Sequence, residues 1–421
     1  MITSEEFQQR HKARPQDFTR QSALTFPRMF MLIGRLVRKS LQVEADEFFQ
    51  ELFDREAPER EVTASAVCQA RRKIRHTAWE EAARFLAEQT YAAKPNGLEL
   101  PGGFRVLATD GFTVNLPDTP EIRAYFGPPE RKPGQEGPPL ARVLVCWDVY
   151  NDLVVDVLVA PYSVSERALL RQHQDRFSPW ENVLRLLDRG FGGYCRFQRM
   201  CCEGESFVCR VRCDGRLEIR EFVESGQTDA IVELHPDAKA RKRCIEEGLP
   251  TGPLRLRVLR IDRGDGEPQV VVTNLFDPNL TLDFFRDVYD DRWGVEEGIK
   301  VLKKALEIER FSGRTVETVL QDVYARIFLF NLTSVLTLPL RDEVEEASSG
   351  KKYTYHVNTT TALSKVRRCI VRLLFGVRPL QILGALLKAL RGCILPWRPG
   401  RSFPRKARAG PVVRYGNYRP I

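Results

Sequence analysis

The chain has 421 residues, of which 43% are hydrophobic, enough for a large core and for two to four domains. No apolar run approaches the length of a membrane span, since "MFMLIG" and "ILGALL" are both cut short by Arg or Lys, and the polar N-terminus lacks a signal-peptide core; a cytoplasmic protein is expected. The ten Cys have no regular spacing, and the cluster Cys195, Cys201, Cys202, Cys209 and Cys213 has no CxxC pair, so buried reduced thiols are the better reading and zinc the poorer one.

Residues 1–95 read as a helical N-terminal region. "PRMFMLIGRLVRKSLQVEADEFFQELF" has helical apolar spacing, and "VTASAVCQARRKIRHTAWEEAARFLAEQ" follows with Thr63 or Ser65 as N-cap. Arg71, Arg72, Lys73 and Arg75 form a dense basic patch, suited either to a DNA groove or to a solvated helix face; the four are candidate DNA contacts. "AAKPNGLELPGG" is a linker.

From Phe104 the period changes. "FRVLATD" is a short strand ending in Asp110, and "ARVLVCWDVY" and "LVVDVLVAP" are two strands joined by a hairpin at "ND". "SERALLRQHQDRF" is helical, "NVLRLLDRGFGGY" is a buried strand ending at Asp188 and turning into a helix, and "SFVCRVR" is again a strand. This makes residues 96–213 a mixed α/β sheet. Residues 214–273 read as a β-rich insertion of four short strands, "LEIREFVE", "DAIVELHP", "LRLRVLRI" and "PQVVVTNL". The α/β unit resumes over 274–340, with the helix "YDDRWGVEEGIKVLKK" and a long apolar helix "TVETVLQDVYARIFLFNLTSVL". Residues 341–421 form a basic C-terminal region that opens on an acidic loop, "RDEVEEASSG". From Lys351 onward there are 16 Lys or Arg and no acid, whereas the first 350 residues carry 49 basic and 56 acidic side chains. Such a tail is drawn to a polyanion, with DNA or RNA as the default partner. Its end, "PWRPGRSFPRKARAGPVVRYGNYRP", is too rich in Pro, Gly and Arg to fold alone and is expected to lie along a partner.

Within "YDDRWGVEEGIKVLKK", Tyr289, Arg292, Glu296 and Lys303 fall within roughly a 60° sector of a continuous helix, beside the apolar stripe Val295, Ile299, Leu302 and Leu306. Asp110 and Asp188 each end an apolar strand, at the rim where sites in α/β sheets gather. Three carboxylates from two strands and a helix suit hard cations, Mg²⁺ or Mn²⁺. Two such ions roughly 4 Å apart serve phosphodiester chemistry. Arg292 and Lys303 would then hold phosphates, and Tyr289 would donate a hydrogen bond. Glu297 points about 100° away from Glu296 and reads as solvated or salt-bridged. Asp148, Asp152 and Asp156 read as turn or edge residues, and Glu166 as a helix N-terminal acid or a support near the metals.

"LATDGFTVNLPDT", "LLDRGFGGY", "VVVTNL" and "YDDRWGVEEGIKVLKK" resemble the DDE transposases of bacterial insertion sequences, in the group named after insertion sequence four. The last segment fits that group's Y-x2-R-x3-E-x6-K signature at Tyr289, Arg292, Glu296 and Lys303, and "VTASAVCQARRKI" and "RPGRSFPRKAR" extend the resemblance over nearly the whole chain. The resemblance implies an RNase H-like core with a β-rich insertion and helical flanks. It implies Mg²⁺-dependent cleavage at transposon ends, with Asp110, Asp188 and Glu296 as catalytic metal ligands and Tyr289, Arg292 and Lys303 as DNA contacts. It further implies joining of 3′ ends to target DNA, a dimer in the synaptic complex, and a place near the bacterial nucleoid. Relatives that cut through a DNA hairpin stack a flipped base on a Trp of the insertion. None is present here between Trp180 and Trp293, although Phe207, Phe222 and Phe276 are substitutes, and Trp293 reads as a packing residue. A DNA-binding protein without catalysis and an RNase H-like structure-specific nuclease are the alternatives.

Overall fold

A computed structural model of the chain describes residues 1–95, 97–132, 135–176, 181–262 and 268–396. The N-terminal region is five helices: α1 (Glu5–His11), α2 (Phe26–Gly34), α3 (Leu41–Phe53), α4 (Ala64–Arg71) and α5 (Thr77–Ala93). Each of the two long helical stretches of the sequence is broken once. Ser40 opens α3 by accepting from the Val43 N–H, and Thr63 opens α4 by accepting from Ala66.

The sheet begins with β1 (Arg105–Asn115), followed by α6 (Pro120–Phe126) and a short hairpin, β2 (Glu130–Lys132) and β3 (Gln135–Glu136). Next come β4 (Leu140–Asp148), β5 (Leu153–Pro161), α7 (Glu166–Arg176), β6 (Val183–Leu187), α8 (Tyr194–Cys202) and β7 (Ser206–Val211). β5, β4 and β1 are antiparallel neighbours, and β6 and β7 then run parallel to β1. This is a mixed sheet flanked by helices. The β4–β5 turn has Asp152 at φ 52°, bonded at 2.8 Å to Arg341. Asp148 closes that turn from a buried position by accepting from the Tyr150 and Asn151 N–H groups at 3.0 Å. Asp156 lies on the edge strand β5 and is buried against His173 at 2.7 Å and against Arg176.

Residues 214–273, expected as a β-rich insertion, hold α9 (Leu217–Glu224), β8 (Asp229–Leu234), α10 (Ala238–Glu246), β9 (Leu254–Ile261) and β10 (Gln269–Thr273). They differ from the expected β block in two ways. "LEIREFVE" is a helix, because the residues it buries are Ile219 and Phe222, three apart, while Leu217 stays 61% exposed. The strands also do not form a separate unit: β10 pairs antiparallel with β7, and β9 and β8 follow outward, giving one eight-stranded sheet in the order β5-β4-β1-β6-β7-β10-β9-β8.

The chain then returns through α11 (Leu282–Asp290), α12 (Trp293–Lys304) and α13 (Val316–Thr337). The C-terminal part holds α14 (Arg341–Glu346), β11 (Tyr355–Val357), α15 (Thr359–Phe375), α16 (Pro379–Arg391) and β12 (Ile394–Pro396), with β11 and β12 paired. The expected acidic loop is therefore partly the helix α14. By length and composition Val316–Glu346 would suffice to cross a membrane, contrary to the expectation from sequence, but most of it is buried inside the protein.

α13 packs against α2, α5, β5 and α15. Its polar side chains are satisfied internally. Asn331 accepts from the Val154 N–H and donates to the Ala83 and Val154 carbonyls at 2.8–2.9 Å. Asp322 pairs with Arg71 at 2.9 Å, both 3% exposed, and Arg71 also donates to Gln321, Ser312 and the Thr318 carbonyl. Arg71 is thus not a DNA contact: its guanidinium is spent inside the core. Arg72, Lys73 and Arg75 remain exposed. Removing one partner of a buried pair strands the other charge, so Arg71→Met should cost about 3–5 kcal/mol while Arg72→Ala stays within about 0.5 kcal/mol. Denaturant melts of the two variants check the difference.

Candidate active site

β1 and β6 run in parallel register from Arg105–Val183 to Thr109–Leu187. Asp110 and Asp188 each stand one residue beyond that last pair, so the two acids lie at one level, although Asp110, expected at a strand end, sits inside β1, which runs on to Asn115. Asp110 is still held on its other side, opposite Val145 of β4. At Asp188 the strand ends and the chain turns through Arg189–Phe191 and a glycine pair into α8.

α12, which carries Glu296, lies unusually close to the sheet. A Cβ on Gly298 would stand 2.6 Å from the buried ring of Trp147 in β4, and one on Gly294 would stand 3.1 Å from Val149. The spacing Gly294-x3-Gly298 therefore gives α12 a smooth face toward β4, with Glu296 on the side of the helix turned away from that face.

α11 and α12 are not one helix. Across Asp291 and Arg292 the bonds tighten to i→i−3, from Arg292 to Tyr289, Gly294 to Asp291 and Val295 to Arg292. Tyr289, on the far side of this junction, is 3% exposed, and its hydroxyl donates to the Leu187 carbonyl at 3.2 Å. It thereby anchors the backbone just before Asp188, and its partner is protein rather than an open surface. Arg292 is also buried. Its Nη2 donates to Glu296 at 3.2 Å, and its Nε has no hydrogen-bond partner among the described residues. Burial opposes its charge, but Tyr289, Asp188 and Glu296 together raise its pKa above the ordinary value. Lys303, two turns beyond Glu296, places its Nζ 4.9 Å from the Phe112 ring centroid, on β1 two residues past Asp110.

A fourth acid reaches the site. Glu166, the first residue of α7, lies directly over Gly111: a Cβ there would stand 2.5 Å from its Cδ. It is paired with Arg142 at 2.9 Å. Burial, above all, raises the pKa of the Asp110 carboxyl. The Gly111 N–H and Arg292 act the other way, and Glu296 and Glu166 add to the rise. The carboxylates thus feel one another, and four acids face Arg292, Arg142 and Lys303, leaving an excess of one negative charge. An all-oxygen donor set with that excess fits a divalent hard cation. Among the described residues no three His, Cys, Asp or Glu side chains are drawn together to hold one as they stand; Arg292 stands among the acids instead.

The Transposase DDE domain family matches residues 101–332, more than half of the chain. The chain belongs to this family. It is 23% identical over 364 residues to the transposase InsG of insertion sequence element IS4 from Escherichia coli (strain K12), covering 83% of this chain and 77% of that one. Among solved structures it is similar to the piggyBac transposase in a synaptic complex with hairpin DNA, with a TM-score of 0.41 and 12% identity over 91% of this chain and 81% of the other.

The remaining candidates of this transposase divide by exposure. Glu297 is exposed and paired with Lys300, away from the other acids. Phe207 and Phe222 are core residues, at 0% and 5% exposure, whereas Phe276 is 46% exposed and Trp293, read as packing, is 52% exposed beside Arg292. The irregular basic end, residues 397–421, lies outside the described residues. Sequence reading missed the glycine seat of α12, although Gly294 and Gly298 are four apart in plain view. In Gly298→Ala the helix-propensity gain of about 1 kcal/mol competes with an overpacking cost of about 1–3 kcal/mol against the rigid Trp147 ring. Overpacking should win, lowering both the melting temperature and DNA cleavage although no acid is altered. Paired melting and nicking assays check this.

Proposed function

We propose that the protein is an active DNA transposase that binds the ends of its insertion sequence, cleaves there and joins the 3′ ends to target DNA. The observation that supports this reading is that the strands carrying Asp110 and Asp188 run side by side in parallel register, while Arg292, bonded to Glu296 at 3.2 Å, lies close enough to both Asp carboxylates to act on their charge. Asp110, Asp188 and Glu296 are the residues that would hold Mg²⁺, or Mn²⁺ in its place, as a pair of ions in the bound state.

When bound, such ions activate a water or 3′-hydroxyl and stabilise the leaving oxygen. The chain's own residues do the rest. Glu296 gives up Arg292, and the released guanidinium, with Lys303, takes phosphate oxygens beside the scissile bond through charge-assisted bonds. Tyr289 holds the Leu187 carbonyl and so fixes the level of Asp188. Arg72, Lys73 and Arg75 and the basic C-terminal region hold DNA farther out. Synapsis of two ends calls for two copies of the chain, acting beside the nucleoid.

Replacing Asp110, Asp188 or Glu296 with Asn, Asn or Gln should abolish nicking of DNA carrying the element's ends while leaving binding within a few-fold. Glu297→Gln should behave as the parent. A Mg²⁺-dependent nicking and strand-transfer assay reads both. Nicking without strand transfer would favour a structure-specific nuclease, and binding without either a DNA-binding protein that lacks catalysis.

The fold decides where the basic C-terminal region can be cut. α15 is tied to the core by Arg367, which donates to the Arg35 carbonyl at 2.7 Å and pairs with Glu44 at 3.2 Å. Cutting at Lys351 would remove this buried packing along with the charge. Truncation after Pro396 removes seven Lys and Arg and no acid, and should flatten the salt dependence of DNA binding by about 0.9 for every phosphate that the protein then leaves unneutralised. Binding isotherms at several salt concentrations give the slope, which stays at the parent value if the end touches no phosphate.

A further inference from the structure

Beside the acidic rim lies a second site of opposite charge. Arg167 and Arg171 of α7, Arg196 and Arg199 of α8, and Arg243 of α10 surround a small cleft of about 70 Å³ together with Glu247. At roughly 10–15 Å³ per water-sized occupant, it takes about five to seven such atoms. That suits the five heavy atoms of a phosphate group and is too little for a base.

The charges in the cleft do not balance. Arg171 pairs with Asp175 and Glu203 at 2.8 Å, Arg199 with Glu203 and Glu247, and Arg243 with Glu247 at 2.7 Å. Arg167 and Arg196 donate only to the Gly190 and Phe191 carbonyls, and among the described residues neither meets a carboxylate. Five guanidiniums thus face three acids, an excess of two positive charges. The strain is visible in the titration. Burial first, and then Arg167, lower the half-buried Arg196 to about 10. Glu247, although desolvation acts against it, is drawn down to about 2 by Arg243 and Arg199.

The cleft also has a definite position. Arg167 follows Glu166, which lies over Gly111, and the two carbonyls that Arg167 and Arg196 hold belong to the turn directly after Asp188. The cleft therefore adjoins the turn that follows Asp188.

We propose that this cleft binds a single backbone phosphate of DNA flanking the cleaved bond, with α10 supplying Arg243 to it. The choice of DNA as the source of that phosphate rests on the transposase reading. The anion site itself rests on the five guanidiniums.

The test uses the full chain and the variants Arg196→Gln, Arg243→Gln, their double variant and Glu247→Gln. Duplex binding is measured across a salt series, and melting temperature is measured in inorganic phosphate against chloride at equal ionic strength. Each single Arg variant should flatten the salt slope by about 0.9, and the double variant by no more than either single one, since both remove the same phosphate. Phosphate should raise the parent's melting temperature, less so in the Arg variants and more so in Glu247→Gln. Should Arg196→Gln fail to fold, Arg243→Gln carries the test, because its side chain is 57% exposed. An unchanged slope in Arg243→Gln overturns the proposal. A lost phosphate response with an unchanged slope also overturns it and leaves a site for free anions. If the slope changes as expected but even the parent never nicks DNA, the cleft stands and the transposase reading falls.

Discussion

The burial of α13 is the constraint on which the rest of the structure depends. A long helix dominated by apolar residues on every side must be enclosed, and this one draws α2, α5 and α15 onto itself and against β5. Its polar side chains then act as fixed joints. Asp322 accepts from the Ser312 backbone and side chain as well as from Arg71, and Arg326 donates to the Leu306 carbonyl at 2.9 Å. Those joints grip the loop that leaves α12, so the position of α12 on the sheet is set from both ends. The glycine face of α12 fixes its height above Trp147, and α13 fixes where the helix stops.

Around that scaffold two fields of opposite sign lie side by side. The rim of Asp110, Asp188, Glu296 and Glu166 is short of positive charge, and the cleft between α7, α8 and α10 is short of negative charge. Neither would be stable if enlarged, since like charges at close quarters in a partly buried site repel strongly. α7 serves both, with Glu166 on one side and Arg167 on the other. The turn after Asp188 likewise ends one site and supplies the carbonyls that hold the other.

Much of this was legible in the sequence wherever the information is local. The strand before Asp188, the helix around Glu296 and the long apolar helix all follow from period and composition, whereas the strand expected to end at Asp110 runs on to Asn115 because β4 pairs with it that far. Several features were not legible, each for a definite reason. Arg71 reads like Arg72 because a charge run carries no sign of which member faces Asp322, 251 residues away. The break between Tyr289 and Glu296 hides because Asp291 and Arg292, at the junction itself, keep right-handed helical dihedrals and only the bond pattern tightens. Phe207 and Phe222 look as available for stacking as Phe276 until the sheet is assembled over them. Residues 214–273 betray strands but not their neighbours, because pairing of β10 with β7 is a long-range fact.

That pairing bears on the handling of the chain. An inserted module is commonly pictured as a cassette, added or removed without effect on its host. Here the sheet uses residues 214–273 as its border. With residues 214–273 excised, Val208–Val211 would present the naked backbone of an interior strand to solvent, an open template for joining another chain. Residues 214–273 and the strands before them therefore form a single plate, and neither part can be trimmed without baring the other.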